Sequence, residues 1–459
     1  MDTSIAENAA LEDHVSIFMK QYRIGALLKR SNFHKAKGIS CAAVFRFLLL
    51  LVFTGKNLYR TLQADTPEYS HKGDTVYRFL NNARHNWRKF LLLFTSGIIK
   101  EFLKPLTSER RDAVLIVDDS LFSRNRSKAV ELLARVYDHV EKKYRRGFRM
   151  LTIGWSDGAT FLPVAFSLLS SEDPGNRYVE MNPDVDKRTN GYKRRRESIK
   201  KATDILVSLL KQVRAYGVPA KYVLCDSWFA YPKVIKEIIL QCKLHTICML
   251  KDMPTLRYRY NGSLVTLGSL YRRITKRRGR AKILASVVVD IGADDAGNPI
   301  FAKIVFVRDR NRKRQWLALL STDITLSDEE IVRLYGRRWD IEVFFRMCKS
   351  YLKLAREFAS RSYDAMVAHT TIVCCRYIML AVQKRIHDDS RTLGVLFYSY
   401  CEEIRDIGFA ETLALLMELL QNHLQRYLPV ENIREFISIF IASLPLFFRV
   451  RLQFLNCES

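Results

Sequence analysis

Apolar and polar positions change regime twice along the chain. Residues 1–105 carry apolar side chains at helical spacing: Ser40 is placed to cap a helix over Cys41–Phe53, Asp74 to cap one over TVYRFLNN, and Trp87–Phe102 makes a third. At Ala113 the pattern switches. Val114–Val117 is a short β-branched run ending in Asp118 and Asp119, as in a buried strand. Met150–Trp155 and Phe161–Leu169 are two more apolar runs, separated by Ser156, Asp157 and Gly158, which read as a hairpin turn. Asp157 is therefore a turn residue rather than a catalyst. After a loop over residues 171–192, a helix runs from Lys193 through Leu210. Tyr222–Asp226 repeats the design of a strand ending in Asp, then a helix over Lys233–Cys242 leads to a strand near Thr246–Leu250. Strands interleaved with helices in this way predict a mixed α/β sheet.

Residues 251–325 alternate at strand spacing. Ile283–Ile291, Ile300–Arg308 and Leu317–Leu320 are the strands, with turns at Asn261–Gly262 and Ala293–Pro299. Ile331–Leu354 then predicts one long helix, capped by Ser327, with Asp328, Glu329 and Glu330 at its positive end. At about 100° per residue, Tyr335, Arg338, Glu342 and Lys349 share an arc of roughly 60°. Leu334, Ile341, Phe345 and Leu352 form an apolar stripe on one side; Trp339, Val343 and Met347 lie on the other. A polar stripe flanked by core suits the floor of a groove, and a solvated charge stripe fits the same spacing. Residues 360–459 read as helices, broken at Leu428–Pro429.

Composition narrows the partners. The chain has 459 residues, 48% hydrophobic and 27% charged, and is globular. Its net charge of +27 calls for a polyanion, nucleic acid first and a membrane surface second. No segment is expected to span a bilayer: Phe47–Phe53 is too short, and Phe436–Phe448 contains Pro445 and abuts Arg449. The acidic N-terminus lacks a signal layout. Nine scattered cysteines and nine histidines show no metal-ligand spacing, which predicts buried thiols in a reducing cytoplasm. Three basic runs stand out: Lys193–Arg196 with Arg194 and Arg195, Arg272–Lys282 with Lys276, Arg277 and Arg278, and Arg308–Arg314 with Arg312 and Arg314. They are candidates to track phosphates, or ordinary solvated charge. With about 6–10 phosphate contacts, affinity would fall steeply with salt.

Asp118 and Asp226 end apolar strands and Glu342 projects from a helix. If the three converge, each pair of carboxylates at about 5 Å repels by roughly 3 kcal/mol at an effective dielectric near 20. Such a cluster needs a divalent cation. Oxygen-only ligands favour Mg²⁺ or Mn²⁺, and two ions about 4 Å apart suit phosphoryl transfer.

The segments VDDS, CDSW and Tyr335–Lys349 resemble those of bacterial insertion-sequence transposases with an Asp-Asp-Glu site on an RNase-H-like fold. The group is insertion-sequence family four, whose signature is Tyr, two residues, Arg, three residues, Glu, six residues, Lys. Tyr335, Arg338, Glu342 and Lys349 match it without a gap. The resemblance covers roughly residues 110–380 and implies that Asp118, Asp226 and Glu342 are catalytic metal ligands. Asp119 fills the family's variable place, and Ser120 stands where Thr is usual. It also implies that Tyr335, Arg338 and Lys349 contact phosphates at the transposon end. Trp316 opens a WLALL strand where a relative stacks a tryptophan on a flipped base; a core tryptophan is the other reading.

The expected organisation is a helical domain at 1–105 that binds DNA or only packs, with ordinary surface lysines, the first part of an RNase-H-like core at 106–250, a basic β-rich insertion at 251–325, the core helix carrying Glu342 at 326–380, and a helical C-terminal region at 381–459 that is the candidate for dimerisation. The resemblance implies a cytoplasmic, nucleoid-associated transposase that binds terminal inverted repeats and target DNA as a homodimer. It would cleave and join strands with two Mg²⁺ or Mn²⁺ ions, through hairpin ends, without a membrane partner. A non-catalytic DNA-binding derivative and an RNase-H-like nuclease are the alternatives.

Overall fold

A computed structural model describes residues 13–63, 73–108, 111–138, 140–279, 281–309, 312, 315–357, 360–425 and 430–445. Six helices come first: α1 (His14–Gln21), α2 (Ile24–Arg30), α3 (Cys41–Leu50), α4 (Leu58–Gln63), α5 (Gly73–Leu80) and α6 (Trp87–Ile98). The Ser40 side chain caps α3 by accepting from Ala43 N–H at 3.1 Å. Asp74 does not cap: α5 already includes it. Phe33, Phe45, Trp87 and Phe90 are buried together and fill the space among these helices.

The sheet follows. β1 (Val114–Ser123), β2 (Ala134–Asp138), β3 (Lys143–Ser156) and β4 (Phe161–Leu169) are succeeded by α7 (Asn190–Ser198) and α8 (Ala202–Ala215). Then come β5 (Tyr222–Cys225), α9 (Pro232–Glu237) and β6 (His245–Leu250). The single helix expected from Lys193 to Leu210 is two, because Lys201 takes an extended conformation and starts α8 afresh. β3 pairs antiparallel with both β1 and β4, while β5 and β6 run parallel to β1. The order β4–β3–β1–β5–β6, an antiparallel meander extended by two parallel strands through helical crossovers, is an RNase-H-like core. All nine residues of β4 are buried, so both its faces are covered.

β7 (Tyr258–Tyr260) and β8 (Ser263–Val265) form a hairpin with both Asn261 and Gly262 at positive φ, 47° and 77°, as a type I′ turn requires. α10 (Leu267–Arg273) precedes β9 (Ile283–Ala293), β10 (Pro299–Arg308) and β11 (Trp316–Ser321). β11 pairs with β6, so these strands extend the core sheet to eleven strands.

The expected long helix is two, α11 (Asp328–Gly336) and α12 (Trp339–Ser350). Arg337 and Arg338 donate backbone hydrogen bonds to Leu334 and Tyr335, three residues back, and this tighter turn after Gly336 separates them. Ser327 caps α11 in a reciprocal capping box with Glu330. Met347 is buried, but Trp339 is 54% and Val343 39% exposed, so only one flank of the polar stripe is core.

α13 (Tyr363–Ile386), α14 (Leu393–Leu424) and α15 (Val430–Ser443) complete the chain; the Leu428–Pro429 break lies outside the described residues. α13 corrects an expectation, since it is long and apolar enough to cross a membrane. Here it is the central helix, packed on α6, β4, α12 and α3 with its apolar window wholly buried. The buried Arg376 donates to the Leu48 and Leu49 carbonyls and pairs with Glu357 at 2.9 Å. Among the described residues the eight cysteines are free, and all but Cys41 are buried.

Candidate functional site

β1 and β5 are in register from Val114↔Tyr222 to Val117↔Cys225. The next residues are Asp118 and Asp226, so the two carboxylates stand side by side where the parallel strands part. β5 ends there. β1 does not: it continues to Ser123 against β3, so Asp118 lies mid-strand instead of at a strand end. Strand alternation sends Asp118 and Ser120 to one face and Asp119 to the other. The contacts follow suit. Arg338 donates to Asp118 at 3.1 Å and Lys349 to the Ser120 hydroxyl at 2.5 Å, whereas Asp119 is paired with Arg149.

Glu342 comes in on α12. Arg338 sits at the start of that helix, four residues earlier, and its second terminal nitrogen donates to Glu342 at 2.5 Å. One guanidinium thus joins Asp118 to Glu342. The break between α11 and α12 aims this pair of arginines: Arg337 turns to the Asp112 carbonyl and lies over Gly158, whose φ of +85° makes the tight β3–β4 turn. Asp157 occupies that turn, accepting from Ala159 and Thr160 N–H, as expected of a turn residue. Tyr335 is largely buried beside Arg338, and its hydroxyl has no hydrogen-bond partner among the described residues.

Burial pushes the Asp118 carboxyl up to about 7, against Arg338 and with the neighbouring Asp226 and Asp119 charges adding to the rise. Asp226 is also raised, by burial first and by Asp119, although it accepts from Trp228 N–H at 2.9 Å. Burial lowers Lys349. Burial, more than the neighbouring charges, holds the Asp118 and Asp226 carboxyls above their ordinary range, and the ligand atoms of the cluster are all oxygens. That chemistry fits Mg²⁺ or Mn²⁺. Among the described residues no three acidic, His or Cys side chains are gathered to ligand distance around one point. Arg338 holds Asp118 and Glu342, and a metal shared by them requires it to swing aside.

The other expected contacts divide. Arg194 and Arg195 do not face solvent, which corrects the reading of their run as a phosphate track. Arg194 pairs with Asp364 at 2.8 Å, and Arg195 with Glu131 at 2.6 Å and Asp364 at 2.7 Å, with both guanidinium side chains under a tenth exposed. Their helical neighbours Lys193 and Arg196 are exposed. Lys276, Arg277, Arg278 and Arg312 are exposed, with Arg277 tied to Asp328 at 2.6 Å; Arg314 lies outside the described residues. The Trp316 ring packs 5.0 Å from Tyr271 and 5.1 Å from Phe306, inside the insertion.

Two residues near the carboxylates escaped the sequence reading. Trp228, two positions after Asp226, is 48% exposed, and Arg149 lies 5.3 Å from its ring. The CDSW motif contained the tryptophan. Nothing in the sequence placed Arg149 opposite Leu121 on the neighbouring strand.

These carboxylates lie within two family matches. The profile described as DDE superfamily endonuclease matches residues 33–264, half of the chain, including Asp118 and Asp226. The chain belongs to the DDE endonuclease superfamily. Within it, residues 195–379, which include Asp226 and Glu342, match the transposase DDE domain. No curated protein matches the chain. Among solved structures, the Drosophila P element transposase strand transfer complex aligns at 13% identity over 56% of this chain, with a TM-score of 0.19. That alignment spans about half, 54%, of the other chain.

Proposed function

We propose that this protein is a DNA transposase of insertion-sequence family four. It binds terminal inverted repeats, cleaves at the transposon end and joins the freed 3′-hydroxyl to target DNA. The observation that carries the reading is the single guanidinium joining Asp118 and Glu342, with Asp226 at the next position of the adjacent strand.

Asp118, Asp226 and Glu342 would hold Mg²⁺ or Mn²⁺. Bound there, two such ions supply an activated attacking oxygen and stabilise the leaving one. The protein's own residues bind and orient. Arg338, released from the carboxylates, presents two N–H groups to a phosphate, and Lys349 offers a point charge from the same side. Second-strand cutting through hairpin ends comes from the same family reading. A homodimer would use α14 and α15, where Leu415, Leu416, Leu419, Phe436 and Ile439 are exposed.

The test is incubation with a duplex carrying the inverted repeats that flank its gene, in Mg²⁺. Joined products are expected from the wild-type protein. Cleavage should drop about a thousandfold or more in Asp118→Asn and Glu342→Gln. Binding without cleavage would support a non-catalytic derivative, and cutting of structured RNA without joining would support a nuclease. Cleavage persisting in Glu342→Gln would refute the assignment.

A further inference from the structure

The β2–β3 hairpin projects past the core sheet from the end that bears the catalytic carboxylates. β3 pairs with β1 only as far as Gly147↔Ser123, while Lys143–Gly147 pair with β2 on the other side. From Arg124 to Arg149 the chain has nine basic and three acidic residues; one acid, Glu131, is tied to Arg195 and one base, Arg149, to Asp119. The surface is therefore strongly positive.

Its side chains are ordered by the pleat. Arg146 and Tyr144 share the face of Asp118 and Ser120, because Thr152 and Met150 oppose those two residues and alternation carries the face along β3. Arg135 and Tyr137 sit directly opposite Arg146 and Tyr144. On that face the Arg135 guanidinium lies 3.9 Å from the Tyr144 ring centroid. Arg146 lies 4.7 Å from the ring of Tyr178, which comes from the loop after β4. Tyr137 and Tyr144 meet edge to face at 5.2 Å, and all three tyrosines are at least 40% exposed. Arginines held over exposed rings are pre-ordered, so little side-chain entropy is lost when their N–H groups take phosphate oxygens.

Charged residues also guard edge strands against pairing with other chains. That role needs no exposed aromatic rings and no alignment with the catalytic face. We infer that the β2–β3 hairpin is a docking arm for the duplex DNA that flanks the scissile phosphate. The inference rests on the transposase reading. At about 3.3 Å per residue, Arg146 and Tyr144 lie roughly 20–26 Å along the strand from Asp118. That reach is about six to eight base pairs at 3.4 Å each.

The test uses the full chain in EDTA and a fluorescently labelled duplex of arbitrary sequence, with anisotropy followed as NaCl is raised. Arg135→Gln combined with Arg146→Gln should weaken binding roughly tenfold at fixed salt and reduce the salt slope by about 2. Lys211→Gln with Lys243→Gln, an equal loss of charge on α8 and just before β6, should leave the slope as in the wild type. Tyr137→Ser with Tyr144→Ser keeps every charge and should weaken binding with little change of slope. A hairpin double variant that melts like the wild type and keeps its slope overturns the inference. So does one that only aggregates while its monomer binds normally. If the wild-type protein does not bind the duplex at all, the transposase reading falls and takes the arm with it.

Discussion

Arginine meets carboxylate in two places, with opposite results. Beneath α7, Arg88, Arg194 and Arg195 face Glu197, Asp364 and Glu131, one cation for each anion, in the interior. Burial alone would raise Glu131 and Glu197, yet contact with Arg195 and Arg88 holds both below the ordinary range. At the candidate site, among the described residues, Asp118, Asp119, Asp226 and Glu342 lie with Arg338, Arg149 and Lys349, and there burial raises Asp118 and Asp226. The first cluster is complete and ties α6, α7 and α13 together. The second is short of positive charge, and that deficit marks where a cation can bind.

The contrast is easiest to break from the buried side. Asp364→Ala leaves Arg194 and Arg195 short of a partner in the interior and should cost about 3–5 kcal/mol in urea unfolding. A cost below 1 kcal/mol would show that the network is dispensable. Acid attacks the same cluster. The lowered carboxyls of Glu131 and Glu197 contribute stability that is complete above the ordinary Glu value of 4.5 and lost as pH falls through their depressed folded values. The urea midpoint should therefore hold down to that range and then drop, with a shallower drop in Glu197→Gln. At the candidate site, millimolar Mg²⁺ should raise stability by about 1 kcal/mol in the wild type and not in Asp118→Asn. An equal shift in both would place the ion elsewhere. Lys193→Gln with Arg196→Gln should be smallest, within about 0.5 kcal/mol, although these residues flank the buried pair.

That last pair shows what the sequence could and could not reveal. Lys193–Arg196 reads as one basic run, but successive helical residues point about 100° apart, so its middle and its ends have different fates. Only the distant partners Glu131 and Asp364 decide which residues go inside, and no local pattern names them. The apolar strands were legible because burial on both faces leaves continuous Val, Leu and Ile runs. The Tyr335–Lys349 spacing was legible because a helix converts spacing into a shared face. β2 and the first half of β3 were not legible: KYRRGFR has no apolar alternation, since its strand extends beyond the core. The break at Arg337–Arg338 was hidden too, because a lone Gly336 among helix formers does not fix a helix end, and the contacts of Arg337 and Arg338 with Asp112 and Asp118 are distant in sequence.

α13 has a consequence for how the chain is made. It covers β4, yet it is synthesised roughly 200 residues later, about 10–40 s at ordinary ribosomal rates. Through that interval a strand whose nine residues are all buried in the finished fold lacks the cover of one face, and the cover itself leaves the ribosome as a long greasy segment. Newborn chains of this protein should therefore be clients of holding chaperones until the central helix docks.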